Sequence, residues 1–339
     1  MTQQDEYMQQ IKNDFERISA HNIRRKAADL QNANELDKLV ELVNDTLAEF
    51  QIADRIDKTH IRFYGDFIGN ILPPVLDKKL SHIIFEHSFP KPNLKQYYHF
   101  TNYNAALSIL GSGKLRLSNL RRRFKDGEFE EFYSHHGITG YKSDRTTFGI
   151  SYSEKDIMSE IFFLSPSGMA IDMAGDNKWD LFGDSGAGCR LTIEVEPKHN
   201  DFREVYYSKG HTKAIPLVKV LSDRIEARYQ KPFNFSYISK IGAFYIKGDF
   251  KNEDEYRFLI KTTSDEYGAA HLKPIVTDAQ EKIAYLELAL ENEFATFKIT
   301  EVQPGYDCSD DDIAELSKLI QKKKTTIKLL NRALKNYGI

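Results

Sequence analysis

The chain has 339 residues, of which 41% are hydrophobic and 12% aromatic, and its formal net charge at pH 7 is −3. This length and composition are typical of a globular protein with one large domain and appendages, or with two domains, and they exclude a disordered chain. The small negative charge excludes a global attraction to nucleic acid or to a membrane surface, so any such attraction must be local.

Cysteine content and hydropathy indicate the compartment. Cys189 and Cys308 are the only cysteines, and they lie far apart in the sequence without the spacing of metal ligands. This usage favours a reducing cytoplasm over a disulfide framework or a zinc site. The polar first ten residues do not resemble a signal peptide, and no apolar run approaches the roughly 20 residues that cross a bilayer. We therefore expect a cytoplasmic protein without a membrane partner.

The N-terminal part of the chain has helical periodicity. Apolar residues recur at helical spacing over 8–18 and, more clearly, over 36–50. A further helix is predicted over 58–72, because Pro73 would end it there. We expect residues 1–92 to form a helical arm that packs on the rest of the protein.

Residues 96–119 predict a strand, a short helix and a second strand. The first strand is aromatic and β-branched, and the helix of about two turns ends at Gly111 and Gly113. Apolar and polar side chains alternate in the second strand. His99 and Thr101 share a face of the first strand, because side chains alternate along a strand.

Short strands with few long helices between them are predicted in the rest of the chain. The candidates are 147–153, 189–195, 217–221, 238–246, 256–261 and 294–302. Because the regular βαβ alternation of a doubly wound fold is missing, we expect an α+β domain over 93–305 with a mostly antiparallel or mixed sheet.

The tail, residues 306–339, predicts a basic amphipathic C-terminal helix. Ser309 can cap this helix, and the aspartates that follow suit the positive end of the helix dipole. Residues 313–339 carry seven Lys or Arg against one Glu. The basic face is either a solvated outer surface or a contact for nucleic acid or a partner protein.

Several common sites are excluded by their motifs. The chain has no P-loop, no H-E-x-x-H, and no G-x-G-x-x-G that follows a strand and opens a helix. His135 and His136 are adjacent and diverge on any regular element, so we expect no metal site. Ser165 and Ser167 lack the glycines of a nucleophile elbow, which argues against a serine hydrolase.

Polar side chains remain at strand positions in three places: His99 with Thr101, Ser151-Tyr152-Ser153, and Glu253 with Glu255. On a strand, the two glutamates would share a face, where they repel each other unless a cation lies near. Arg257 would lie on the same face and could be that cation. An ordinary exposed strand edge with a Glu–Arg pair is the alternative interpretation.

In this order, these residues resemble the ADP-ribosyltransferase fold, whose site is spread over three strands that carry His or Arg, a Ser or Tyr motif, and Glu. The chain is also similar, roughly over 96–262, to a little-characterised bacterial family grouped with these enzymes. The matching residues are Tyr98-His99-Phe100-Thr101, 108–118, Asp126, Glu128, Ser153-Glu154, Trp179, Phe182, Gly188, Cys189 and Glu255-Tyr256-Arg257. The chain departs from the pattern in the acidic turn KDGEFEE and at Phe182, where Tyr is common.

The resemblance implies a split mixed or antiparallel sheet, with the N-terminal arm and the C-terminal helix added to it. It also implies an NAD-dependent ADP-ribosyltransferase in which NAD is a co-substrate. Its catalytic residues would be Glu255, which stabilises the charge that develops on the ribose, with His99 and Tyr152. The NAD-binding residues would be His99, Phe100, Thr101, Arg116, Ser118, Tyr133, Ser151, Ser153, Glu253 and Arg257.

Bacterial enzymes of this kind are often toxins of toxin–antitoxin pairs or antiphage-defence effectors, so the resemblance also implies an antitoxin or inhibitor protein as a partner. The acceptor would be a nucleic acid (RNA or DNA) or a protein, and 121–123 (RRR) with the basic tail favour nucleic acid. An NAD glycohydrolase and a catalytically silent binding module of the same fold are the alternatives. We expect Glu255→Gln and His99→Ala each to abolish NAD turnover with little change in melting temperature.

Overall fold

The structure of the protein is a computed structural model. It describes residues 33–65, 67–70, 78–122, 128–138, 145–147, 150–152, 154–169, 178–199, 201–208, 210, 213–235, 238–248, 253–262, 269–323 and 325–335. The helix predicted over 8–18 lies outside these residues. The fold is α+β, as the sequence predicts.

The helices and strands are numbered here in chain order. The helices are α1 (Ala33–Glu49), α2 (Lys79–Ser88), α3 (Tyr103–Ser112), α4 (Glu128–His136), α5 (Glu154–Glu160), α6 (Lys178–Phe182), α7 (Pro216–Tyr229), α8 (Ile238–Ala243) and α9 (Asp310–Lys322). The strands are β1 (Arg62–Phe63), β2 (Ile68–Gly69), β3 (Gln96–Thr101), β4 (Lys114–Asn119), β5 (Arg145–Thr147), β6 (Ile150–Tyr152), β7 (Ile161–Leu164), β8 (Cys189–Pro197), β9 (Phe202–Glu204), β10 (Tyr206–Tyr207), β11 (Phe233–Asn234), β12 (Tyr245–Ile246), β13 (Tyr256–Lys261), β14 (Ile275–Asp278), β15 (Ile283–Ala289), β16 (Ala295–Pro304) and β17 (Lys328–Leu329).

The chain divides into two compact units, each built from three segments. The first unit comprises Met1–Ser88, Phe129–Glu154 and Gly210–Gly242, and the second comprises Phe89–Glu128, Lys155–Lys209 and Ala243–Ile339.

Among the helices that the structure describes, none is long and apolar enough to cross a membrane.

The first unit contains α1, α2, α4, α7 and two small sheets. Helix α1 confirms the prediction over 36–50, and its apolar stripe of Leu39, Val43 and Leu47 is fully buried. The guanidinium of Arg224 on α7 donates two hydrogen bonds to the Glu49 carboxylate of α1, at 2.8 and 2.7 Å. Helix packing in this unit therefore combines an apolar stripe with a bidentate ion pair.

The helix predicted over 58–72 is wrong, because this segment contains strands β1 and β2. Together with β11 they form a three-stranded sheet in the order β1-β2-β11. Aromatic residues and two glycines disfavour a helix here. Gly69 also lies so close to the backbone of Asn234 on β11 that a Cβ atom would meet its carbonyl oxygen. A side chain at this position would separate the two strands.

The second unit contains one large antiparallel sheet and one mixed sheet. The antiparallel sheet has the order β14-β15-β4-β7-β13-β9, and the mixed sheet has the order β17-β16-β8-β3, with β17 parallel to β16. Both sheets contribute to one apolar core, which includes Leu115, Leu117, Leu164, Leu191, Ile193, Phe258, Ile260 and Phe297. Burying each large apolar side chain stabilises the fold by about 1.5–3 kcal/mol relative to its exposure.

Most strand predictions in the second unit are confirmed. The strand–helix–strand pattern over 96–119 corresponds to β3, α3 and β4, and the alternating segments 189–195, 256–261 and 294–302 correspond to β8, β13 and β16. In α3, the side chain of Asn102 caps the helix and Gly113 ends it in the left-handed conformation, at φ 69°. These elements carry the clearest periodicity in the sequence, which is why they could be predicted.

Two strand predictions are wrong. The run 217–221 lies inside helix α7, which begins at Pro216 and continues to Tyr229. The run 238–246 divides into helix α8 and strand β12. Short apolar runs have no period that separates a buried strand from a buried helix, and Pro at the first helical position was the available sign for α7.

The C-terminal helix is shorter than the sequence indicates. Helix α9 ends at Lys322, and strand β17 follows with a parallel pairing to β16. Ser309 caps the helix as predicted, because its hydroxyl accepts the Asp312 N–H at 3.1 Å. The β-branched run Thr325-Thr326-Ile327 after the helix favours extended structure and explains the change.

Candidate functional site

Ser167 links the two sheets of the second unit. It follows β7, and its backbone exchanges two hydrogen bonds of 2.8 Å with Tyr98 on β3. It also forms a bridge to Glu255, which directly precedes β13. The segment after β7 therefore lies between β3 and the start of β13. This crossing brings residues that are more than 150 positions apart in the sequence to one place.

A cavity of about 930 Å³ lies at this crossing. Its volume is near the upper end of the roughly 300–1,000 Å³ that is common for small-molecule sites. The residues proposed from the sequence that line it are His99, Phe100, Thr101, Arg116, Ser118, Glu253 and Glu255. Further lining residues include Ser165, Ser167, Lys178, Leu181, Phe182 and Tyr285.

Glu255 is 3% exposed and forms a buried ion pair with Arg257, which is fully buried. Its Oε1 accepts a hydrogen bond from Arg257 Nε at 2.7 Å and another from the Ser165 hydroxyl. Arg257 also donates to the Ala243 carbonyl. The predicted Glu–Arg pair is thus confirmed, and the exposed-edge interpretation is wrong, because β13 lies between β7 and β9. Burying both charges is costly unless the geometry of the pair compensates.

Lys178 fixes the residues that precede Glu255. Its ammonium group is buried and donates to the Ser167 hydroxyl at 2.6 Å and to the Glu253 carbonyl at 3.1 Å. The Ser167 hydroxyl donates to the same Glu253 carbonyl at 2.8 Å. Lys178 therefore connects the segment after β7 to the segment before β13.

Asp254 gives this segment its sharp turn. Its φ angle of 45° lies in the left-handed region, which non-glycine residues adopt rarely. The Gly168 N–H donates to the Asp254 carbonyl at 2.9 Å, and the Glu255 N–H donates to the Tyr207 hydroxyl at 2.7 Å. Burial raises the pKa of the Asp254 carboxyl, and the nearby Lys178 lowers it. These contacts hold the left-handed turn that presents Glu255 to the cavity.

His99 reaches the cavity from strand β3. It shares a face with Tyr97, which belongs to the core, and with Thr101, which lines the cavity. Gly188, which directly precedes β8, packs closely against the end of β3. A Cβ atom on Gly188 would lie 2.2 Å from the Thr101 carbonyl oxygen. The face of β3 therefore begins in the core and ends at the cavity.

The imidazole of His99 is neutral at pH 7. Burial lowers its pKa to about 4, and a hydrogen bond with the Ser165 backbone opposes this shift only in part. Its Nδ1 is buried and has no hydrogen-bond partner in the part of the chain that the structure describes. Ser165 thus contacts both residues, Glu255 through its hydroxyl and His99 through its backbone.

The low pKa of His99 predicts a pH-dependent stability. An unfolded histidine has a pKa of about 6.5, whereas His99 stays unprotonated down to about pH 4. Between these values the unfolded chain binds a proton that the native protein does not, so the stability falls as the pH falls. The His99→Gln variant should lose less stability than wild type between pH 7 and pH 5, measured by urea unfolding. His136, whose pKa burial also lowers to about 4, is present in both proteins and contributes equally. Equal losses in the two proteins would contradict the burial of a neutral His99.

The wall of the cavity formed by β4 and β15 is basic and partly aromatic. Arg116 on β4 donates to Glu287 on β15 at 3.2 Å and lies 4.7 Å from the ring centre of Tyr285. Lys114 lies 3.7 Å from the same carboxylate. Both cations are more than half exposed, so water screens their attraction to the carboxylate. Such exposed ion pairs contribute little stability.

Two described residues proposed from the sequence, Tyr133 and Arg257, are not among those that line the cavity, and Arg257 instead holds the Glu255 carboxylate. Tyr133 lies on α4 in the first unit, where it is fully buried against the rings of Phe129 and Phe132. Ser151 and Tyr152 lie on β6, which pairs with β5 in the same unit. Ser153 lies outside the described residues, and their roles in catalysis and NAD binding remain predictions.

Three residues of the site, Ser165, Ser167 and Lys178, were not predicted from the sequence. The two serines follow the apolar strand β7, and a strand that ends in serine was the available signal. Their sequence context raised only the question of a hydrolase nucleophile, which the missing glycines argue against. Lys178 carried no signal, because a single lysine before a tryptophan gives no indication that its ammonium group will be buried.

Among the residues that the structure describes, no group of three or more His, Cys, Asp or Glu is arranged to hold a metal ion. Comparison of the chain with protein-family models, with curated proteins and with solved structures finds no match. The interpretation of the site therefore rests on the cavity and on the residues around it.

Proposed function

We propose that the protein is an NAD-dependent ADP-ribosyltransferase. The observation that supports this most is that Glu255 and His99 line the same cavity and that Ser165 contacts both. A buried carboxylate and a neutral imidazole that line one cavity suit the binding of a sugar, because together they can accept several hydroxyl hydrogen bonds. The proposal includes that the protein acts in the cytoplasm as a toxin or an antiphage-defence effector. This part rests on the sequence resemblance alone.

The cavity suits NAD in size and in the distribution of its polar groups. Its volume of about 930 Å³ is large enough for a dinucleotide-sized ligand that remains partly exposed. Arg116 provides a guanidinium for a diphosphate, and guanidinium groups bind phosphate oxygens in a bidentate manner. The buried Nδ1 of His99, which has no partner within the described residues, offers a polar atom for a ribose hydroxyl.

Glu255 would stabilise the transition state for the cleavage of the bond between ribose and nicotinamide. NAD supplies a positively charged nicotinamide as leaving group, and the ribose carbon gains positive charge as the bond breaks. Arg257 and Ser165 hold the Glu255 carboxylate before the substrate binds, so little reorganisation is needed. A charge held in a largely dry site acts more strongly than the same charge in water.

The test uses NAD that is labelled in its ADP-ribose part. The purified protein is incubated with this NAD and a bacterial lysate, and released nicotinamide and labelled macromolecules are measured. We expect nicotinamide release together with label in RNA, DNA or protein, which nuclease and protease digestion distinguish. Free ADP-ribose without labelled macromolecules would indicate a glycohydrolase instead. The absence of nicotinamide release in every mixture would contradict the proposal and leave a binding module.

A further inference from the structure

Helix α6 is held firmly in the second unit by its first three residues. Lys178 is hydrogen-bonded to Ser167 and to the Glu253 carbonyl, and the ring of Trp179 packs edge-on against Phe100 at 5.1 Å. Asp180 accepts a hydrogen bond from the Tyr306 hydroxyl. The position of this short helix is therefore fixed on one side by polar contacts and on the other by aromatic packing.

The last two residues of α6 are large, apolar and exposed. Leu181 is 66% and Phe182 is 38% exposed, and both line the cavity. Of the exposed large apolar side chains among the described residues, the others, Leu94, Ile275, Val276 and Leu334, do not line it. Single exposed apolar residues are ordinary, so the feature that distinguishes Leu181 and Phe182 is their position on a fixed helix at the cavity.

Cations line the same cavity. Lys114 and Arg116 lie on β4, and Arg122 follows that strand and donates to the Ser118 hydroxyl at 3.5 Å. Glu287 pairs with Lys114 and Arg116, whereas Arg122 has no carboxylate partner among the residues that the structure describes. If Arg116 binds the diphosphate of NAD, Lys114 and Arg122 remain for other phosphate groups.

An apolar aromatic surface and several cations around one cavity are the combination that proteins use to bind single-stranded nucleic acid. We propose that the acceptor is a single-stranded nucleic acid, with one base packed against Leu181 and Phe182 and with neighbouring phosphates at Lys114 and Arg122. This inference rests on the proposed function. In the transfer, a base nitrogen or a hydroxyl oxygen of the acceptor forms a bond to the ribose carbon. The bond from that carbon to nicotinamide breaks, nicotinamide leaves with the electron pair, and the acceptor proton passes to water.

The experiment measures label transfer from NAD to synthetic single strands of RNA and DNA of mixed sequence, to the matching duplexes, and to lysate proteins. We expect transfer to a single strand that exceeds transfer to its duplex by at least about tenfold. Raising the salt concentration from 50 to 200 mM should reduce transfer, and less so in the Lys114→Met and Arg122→Met variants, because phosphate contacts release counterions.

Variants of the apolar pair test the surface directly. Phe182→Ser and Leu181→Ser should each reduce transfer to the single strand about tenfold more than they reduce nicotinamide release without an acceptor. Leu334→Ser, at a side chain that is 88% exposed and does not line the cavity, is the matched control and should change neither. Melting curves check that all variants fold. Label in proteins but not in either strand, or equal effects of Phe182→Ser and Leu334→Ser, would overturn this inference while nicotinamide release still supports the proposed function. No nicotinamide release in any mixture would overturn the proposed function itself.

Discussion

The Glu255→Gln variant is expected to release nicotinamide from NAD at least about 100-fold more slowly than wild type, because glutamine carries no charge to stabilise the ribose cation. Its free energy of unfolding should also fall by about 3–5 kcal/mol, because Arg257 would remain fully buried without its counter-charge. Initial rates of nicotinamide release and urea unfolding measure the two effects. The burial of the pair thus corrects our expectation from the sequence that the melting temperature would hardly change.

A second variant separates the loss of catalysis from the loss of stability. The double variant Glu255→Met, Arg257→Met removes both charges, and apolar replacement of a buried ion pair is often close to neutral. We expect it to be more stable than Glu255→Gln and equally inactive. The double variant should still be less stable than wild type, because the Ala243 carbonyl loses the hydrogen bond that Arg257 donates.

Glu287→Gln is the matched control for this prediction. Glu287 lines the same cavity, but its side chain is 28% exposed and its partners Lys114 and Arg116 are exposed as well. Its replacement should change the free energy of unfolding by less than about 1 kcal/mol. Wild-type rates of nicotinamide release in Glu255→Gln would remove Glu255 from the mechanism.

The elements that carry the site were predictable because their side chains alternate strictly. A period of two correctly predicted that His99 and Thr101 reach one cavity from β3, and that Glu255 and Arg257 at β13 lie close enough to pair. Side-chain alternation and turn residues are local patterns of a few positions, so they can be recognised directly in the sequence. The sheet order could not be predicted in the same way, because strand pairing depends on distant segments of the chain.

The contacts between segments were the part that the sequence did not reveal. Ser165 and Lys178 act on Glu255 and Glu253 only because the segment after β7 passes between β3 and β13. Neither the serine nor the lysine has a local pattern that indicates this crossing. The strand prediction over 217–221 was wrong for a related reason. A short apolar run can be buried as a helix or as a strand, and its packing partners decide which of the two forms.

Lys178→Met is expected to reduce the rate of NAD cleavage by roughly 100-fold, with a smaller effect on the KM for NAD. Methionine keeps the apolar stem but removes the ammonium group that bonds the Ser167 hydroxyl and the Glu253 carbonyl. The segment that presents Glu255 would then shift, and a displacement of about 1 Å at a reacting group can cost about two orders of magnitude in rate. The free energy of unfolding should fall by about 1–3 kcal/mol, because polar groups lose a buried partner.

The pKa of the Asp254 carboxyl, measured together with the rate, distinguishes a positioning role of Lys178 from a purely structural one. Burial raises the pKa of Asp254 and Lys178 lowers it, so the pKa of this carboxyl should rise further in Lys178→Met, as followed by carbon NMR of labelled aspartate. Lys198→Met is the control, because Lys198 also donates to a backbone carbonyl, that of Asn292 at 2.5 Å, but is exposed. It should change the free energy of unfolding by less than about 0.5 kcal/mol and leave the rate unchanged. A Lys178→Met protein with the wild-type rate and the wild-type pKa of Asp254 would show that Glu255 does not depend on this buried lysine for its position.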